Sequence, residues 1–147
     1  MSKRIYGVLA LIAVLLISVA CGGQEPGMEG GEAALSINGS VSTEKSWTMN
    51  ELESMDTMNV DYTGKDGETT TYTGVPVNAL LDEAGVASGA TTLTFVASDD
   101  YSADAELSEI QACNNCVVAF DDGSLRMVMP EFSGKLQVKN VIEIQVK

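Results

Sequence analysis

Hydrophobic and polar positions fall into short blocks along this chain, and each block has its own period. Near the C-terminus Ile142, Ile144 and Val146 alternate with Glu143, Gln145 and Lys147. Alternation of this kind is the mark of a strand with one buried face, and it predicts a strand over 136–146. Leu35-Ser36-Ile37 alternates as well and stops at Asn38-Gly39, a turn signal. Residues 92–97, TLTFVA, are β-branched and aromatic and read as a strand. Ser98-Asp99-Asp100 then turns the chain into a second strand over 101–105. Two more strands, over 117–120 (VVAF) and 125–129 (LRMVM), flank the turn Asp121-Asp122-Gly123. Residues 59–73, NVDYTGKDGETTTYT, predict a polar-faced hairpin around Gly64-Lys65-Asp66-Gly67.

Three blocks carry helical spacing. Val77, Leu80, Leu81 and Ala84 fall on one face, with Pro76 suited to the first turn and Gly85 to a left-handed C-cap. Residues 47–52, WTMNEL, open a short helix in which Thr48 and Glu51 have capping-box spacing, and Leu52 and Met55 face the core. A third short helix is expected over 107–112, with Ser108 near its start. Many strands with three short helices predict an α+β fold, a mixed β-sheet domain with short helices, over residues 34–147.

The N-terminus has a different character. Lys3 and Arg4 precede an apolar run from Ile5 to Val19 that ends at Ala20 and Cys21. That is the layout of a secretory signal peptide, and it is short of the about 20 apolar residues a membrane span needs. Ser18-Val19-Ala20-Cys21 resembles a bacterial lipoprotein lipobox. The resemblance implies a signal peptide over 1–20, lipidation at Cys21, and attachment to the cell membrane on its extracytoplasmic side. Each acyl methylene buried in the bilayer contributes about 0.8 kcal/mol. Residues 21–33, rich in Gly and Glu and without apolar periodicity, are expected to be a flexible tether.

Charge removes some functions. The 147 residues carry a formal net charge of −13, with eight Lys plus Arg and no His. Nucleic acid is excluded as a partner, because phosphate binding needs a basic stripe. Without His, neither a Ser-His-Asp nor a Cys-His arrangement is available. Asp99, Asp100, Asp104, Asp121 and Asp122 lack the ligand order of a calcium loop and are expected to serve in turns. The methionines, including Met127 and Met129 on one face of a strand, read as core filling rather than as soft-metal ligands.

Cys113 and Cys116, in QACNNCVVAF, carry the most chemistry. Thiols this close oxidise outside the cytoplasm. A redox-active Cys-X-X-Cys starts a helix, whose N-terminus lowers the thiol pKa. Here the pair ends a helical block and leads into a strand. A zinc clip needs four ligands, and this chain offers one pair and no His. The pattern favours a structural disulfide, with thiol or electron exchange as the alternative.

An ordered set of short motifs resembles the sulfite oxidase family and its molybdopterin-binding domain. It runs from Ile37-Asn38-Gly39 and Trp47-Thr48-Met49-Asn50-Glu51-Leu52 through Tyr72-Thr73-Gly74-Val75-Pro76 to Ala97-Ser98-Asp99-Asp100-Tyr101-Ser102. Leu125-Arg126-Met127-Val128-Met129-Pro130 and Gly134-Lys135 with Val138-Lys139-Asn140-Val141 complete it. The resemblance covers nearly all of 34–147 and implies the same mixed α+β fold. It also implies a cysteine thiolate for molybdenum in the segment before the Gly-Val-Pro helix, yet Trp47 to Gly74 contains no cysteine. Lys135 and Lys139 match positions near the family's basic Gly-Lys…Lys motif, and with Arg126 they are the conditional remnant of an anion or cofactor site. The expectation is a non-catalytic domain that binds a small ligand or an envelope protein and holds no cofactor. The alternative is an oxidoreductase, either dependent on molybdopterin or exchanging thiols or electrons through Cys113 and Cys116.

Overall fold

The computed structural model describes residues 31–147. The expected signal peptide, Cys21 and most of the expected tether lie outside the described residues. Among the described residues nine strands and three α-helices follow in the order β1 Leu35–Gly39, β2 Lys45–Trp47, α1 Met49–Ser54, β3 Met58–Thr63, β4 Thr69–Pro76, α2 Val77–Ala84, β5 Thr92–Ala97, β6 Ser102–Glu106, α3 Leu107–Gln111, β7 Val117–Asp121, β8 Ser124–Val128 and β9 Val141–Val146. No helix among the described residues is long and apolar enough to cross a membrane.

The strands make two sheets, ordered β2-β1-β9-β5-β6 and β3-β4-β7-β8. β1 and β9 pair in parallel, and every other ladder is antiparallel. Alternation explains how the sheets share a core. Leu93, Phe95 and Ala97 on β5, Ile144 and Val146 on β9, and Leu125 and Met127 on β8 are all buried in one cluster with α2 and α3. The four-stranded sheet also buries part of its second face, where Val60, Val117, Ala119 and Val128 form a smaller cluster with Met58, Tyr62 and Tyr72 against it.

The predicted caps are formed. The Thr48 hydroxyl accepts from the Glu51 amide at 3.3 Å, and the Glu51 carboxylate accepts from the Thr48 amide at 2.7 Å. Gly85 is left-handed at φ 69° and ends α2, whose Val77, Leu80, Leu81 and Ala84 are buried. Met127 and Met129 are core residues.

Three expectations need correction. Trp47 ends β2 rather than opening a helix, because Thr48 is the N-cap and takes an extended conformation. Pro76 lies one step outside α2, closing β4 as the N-cap residue. The strand predicted over 136–146 is two elements. Gly134–Leu136 is a 3₁₀ turn, and Gln137 to Lys139 runs along the free edge of β8 before β9 begins. There the Met127 amide donates to Val138 at 2.8 Å, and the Gln137 side chain bonds both the amide and the carbonyl of Met129. The same stretch passes the chain from one sheet to the other. Its alternation also breaks. Val96 faces Glu143 but Ala97 faces Val141, so Ile142 is an extra residue in a bulge and is 45% exposed, while Val141 is buried in its stead.

Candidate functional site

Cys113 and Cys116 lie between α3 and β7 and are joined as a disulfide, with Cα atoms 5.7 Å apart. The junction is held by more than sulfur. The Asn78 side chain of α2 donates to the carbonyls of Gln111 and Cys113, each at 3.2 Å, and so caps the end of α3. The Val77 amide donates to the Cys116 carbonyl at 3.0 Å, and the Cys113 amide to that of Ile110 at 3.0 Å. Cys113 forms part of the wall of a groove of about 540 Å³, together with Glu109, Glu131, Phe132, Ser133 and Leu136. Two carboxylates and a helix C-terminus both disfavour a thiolate there. The chemistry suits a closed disulfide better than an attacking sulfur.

The basic positions are distributed differently. Arg126 points to the second face of the four-stranded sheet and is buried. Its Nη1 donates to the Tyr72 hydroxyl at 2.9 Å and to Asp121 at 3.4 Å, and its guanidinium lies 4.8 Å from the centre of the Tyr72 ring. Lys139 is the backbone partner of Arg126 across an isolated antiparallel bridge. The structure therefore brings Arg126 and Lys139 together. Lys135 sits apart on the 3₁₀ turn, where its carbonyl accepts from the Tyr101 hydroxyl at 3.0 Å. Both lysines are exposed. The tip of the β3–β4 hairpin folds onto the same turn: a β-carbon on Gly134 would lie 3.5 Å from Cε of Lys65.

Gly74, from the Tyr-Thr-Gly-Val-Pro stretch, is required by packing. It pairs with Ala119, and a β-carbon there would lie 2.3 Å from the Val118 carbonyl oxygen. A family model described as the oxidoreductase molybdopterin binding domain matches residues 25–147.

The chain belongs to that family.

Its fold is also that of a solved structure. The sulfane dehydrogenase SoxCD from Paracoccus pantotrophus superposes with a TM-score of 0.66 at 19% identity, over 76% of this chain. This chain spans 37% of that one. No curated protein matches.

The aspartates take turn and ladder roles. Asp99 accepts from the Tyr101 amide, Asp104 accepts from the Thr94 hydroxyl, and Asp100 and Asp122 are left-handed turn residues. No group of three or more potential metal ligands occurs among the described residues. Sequence reasoning missed Asn78, Tyr72 and Gln137. The pairing of Tyr72 with Val60 across the hairpin places it on the Arg126 side. Nothing in the local pattern around Asn78 or Gln137 announces their contacts, which span 35 and 8 residues.

Proposed function

We propose that this protein is a lipid-anchored extracytoplasmic domain of the molybdopterin-binding family that binds a ligand or partner and does not carry molybdenum through a thiolate. One observation carries the reading: the cysteines of the described domain are tied to each other, which leaves no thiolate there to hold the metal. The remaining donors fit the cofactor poorly. Arg126 is engaged with Tyr72 and Asp121, Lys135 and Lys139 are exposed, and His is missing from the sequence. An anionic phosphate with molybdenum oxo groups would find little compensating charge in such a site. The lipid anchor at Cys21 rests on the lipobox-like Ser18-Val19-Ala20-Cys21.

The test is intact mass and metal analysis of the protein purified from a host that makes molybdopterin, with thiol labelling before and after reduction. The expected result is a mass without pterin, no molybdenum, and labelling of Cys113 and Cys116 only after reduction. Copurifying molybdenum overturns the reading. Fractionation of cells tests the anchor: Cys21→Ala is expected to move the protein out of the membrane fraction.

A further inference from the structure

We propose that the groove between α1, α2 and the end of β2 binds an organic ammonium ion with an apolar body, held by Glu51, Glu83 and the indole of Trp47. The proposal rests on the ligand-binding reading above and names the site and the ligand class. The groove has a volume of about 450 Å³ and is lined by Trp47, Asn50, Glu51, Ser54, Met55 and Glu83. Separate elements meet to form it. Trp47 is the last residue of β2, Glu51 lies in the first turn of α1, and Glu83 comes from the end of α2. The Trp47 indole N–H donates to Oε2 of Glu83 at 3.2 Å, which ties β2 to α2 and fixes the ring in the wall. Glu51 and Glu83 are exposed and Met55 is half-buried, so a ligand in the groove can reach them.

Charge selects a cation. No Lys or Arg lines the groove, and the one salt bridge among the described residues, Arg126 with Asp121, lies in the other sheet. Neither Glu51 nor Glu83 is therefore neutralised by the protein. Each also keeps an oxygen free. The Thr48 amide and hydroxyl both donate to Oε2 of Glu51, and Trp47 donates to Oε2 of Glu83, so Oε1 of each has no partner among the described residues. An ionised carboxylate only accepts, and an ammonium group brings three donors with its charge. A metal ion fits less well. No group of three or more His, Cys, Asp or Glu able to hold one occurs among the described residues, whereas hard cations need a fuller shell of oxygens. The rest of the wall chooses the body of the ligand. An indole is the strongest aromatic partner of an ammonium group, and Trp47 with the Met55 thioether favours an apolar body beside it.

The experiment is a titration of the full chain with phenethylammonium, read by the fluorescence of Trp47, the single tryptophan. Phenethyl alcohol, phenylpropionate and magnesium are the neutral, anionic and inorganic comparisons. A saturable change is expected with phenethylammonium and with none of the other three at the same concentration. Glu83→Gln keeps an acceptor for the Trp47 indole but loses the charge, and is expected to weaken binding about threefold. Adding Glu51→Gln should bring the loss to about tenfold. Glu68→Gln, on the β3–β4 hairpin in the other sheet, should leave binding unchanged. Glu83 is exposed, so its variant reports on binding without unfolding the protein. The proposal is overturned if phenethylammonium gives no saturable change. It is also overturned if phenethyl alcohol or magnesium gives the same change, or if Glu83→Gln binds like the parent. Metal analysis of the same sample keeps the two readings separate. Molybdenum in it refutes the earlier reading, whereas a bare polypeptide that ignores phenethylammonium refutes this one alone.

Discussion

Replacing Gly74 with alanine is expected to destabilise the domain severely, although glycine is a poor strand former and alanine an ordinary gain. The added methyl would sit 2.3 Å from the Val118 oxygen and 2.6 Å from the Ala119 Cα, where ordinary contact starts at 3.4 Å. Both obstacles are backbone atoms, so no side chain can rotate away. Relief requires β4 and β7 to part by roughly 1 Å, against a steep repulsive wall and a tightly packed interior. Parting them strains the ladder from Gly74–Ala119 to Pro76–Val117 and loosens Val75 and Val118, each 1% exposed. Overpacking of a rigid site costs about 3 kcal/mol, at the upper end of the usual range. For a domain of this size that is a fall in Tm of ~10 °C. Urea unfolding followed by the fluorescence of Trp47, the single tryptophan, measures it. Gly67→Ala is the control. Gly67 is left-handed at φ 82° but has nothing within 4 Å, so its cost is the backbone term alone, about 1 kcal/mol. If Gly74→Ala loses no more stability than Gly67→Ala, the packing argument for this glycine is wrong.

Other outcomes follow from the same contacts. Thr48→Ala removes the capping box and should cost about 1 kcal/mol in urea unfolding. The Glu51 carboxyl is held below its ordinary value of 4.5, first by the Thr48 amide and then by the Thr48 hydroxyl. Its stabilising effect is therefore present above the unfolded pKa and lost as pH falls through the lower folded value. Glu51→Gln should flatten the acid limb of stability against pH, and an NMR titration placing Glu51 at or above 4.5 would contradict the cap. Cys113→Ser with Cys116→Ser should cost only about 2 kcal/mol, because the closed loop is very short. Adding Asn78→Ala to that pair should cost more than the two changes made separately, since each compensates for the other. Ile144→Ala should cost about 2–5 kcal/mol and Ile142→Ala under about 1 kcal/mol; equal costs would refute the bulge.

Much of this architecture is legible from local pattern, because local physics decides it. The capping box needs only Thr48 and Glu51 three residues apart. The β3–β4 hairpin needs Asp66-Gly67 between alternating strands, and the end of α2 needs a glycine able to turn left-handed at Gly85. The placement of Cys113 after a helix and Cys116 before a strand is equally local, and it was enough to favour a disulfide. The ordered motifs carried the family as well, since they sit at turns and element ends whose geometry restricts the residue.

Tertiary packing settled the rest. Alternation at the C-terminus nominated Ile142 for the core, but the register of β9 against β5 shifts at Ala97, so Val141 is buried and Ile142 faces solvent. A one-residue change of register reverses which face a side chain meets, and the strand's own pattern does not contain its partner's register. For the same reason Arg126, Lys135 and Lys139 look alike as basic residues of one motif. Only the crossing of Gln137 to Lys139 along β8 sets Lys139 beside Arg126 and leaves Lys135 on the turn. The burial of Arg126 over Tyr72, with one nitrogen unpartnered, depends on strands distant in the chain meeting in one sheet. Charge and spacing establish which residues are available for chemistry, but contact between them requires the long-range pairings that folding supplies.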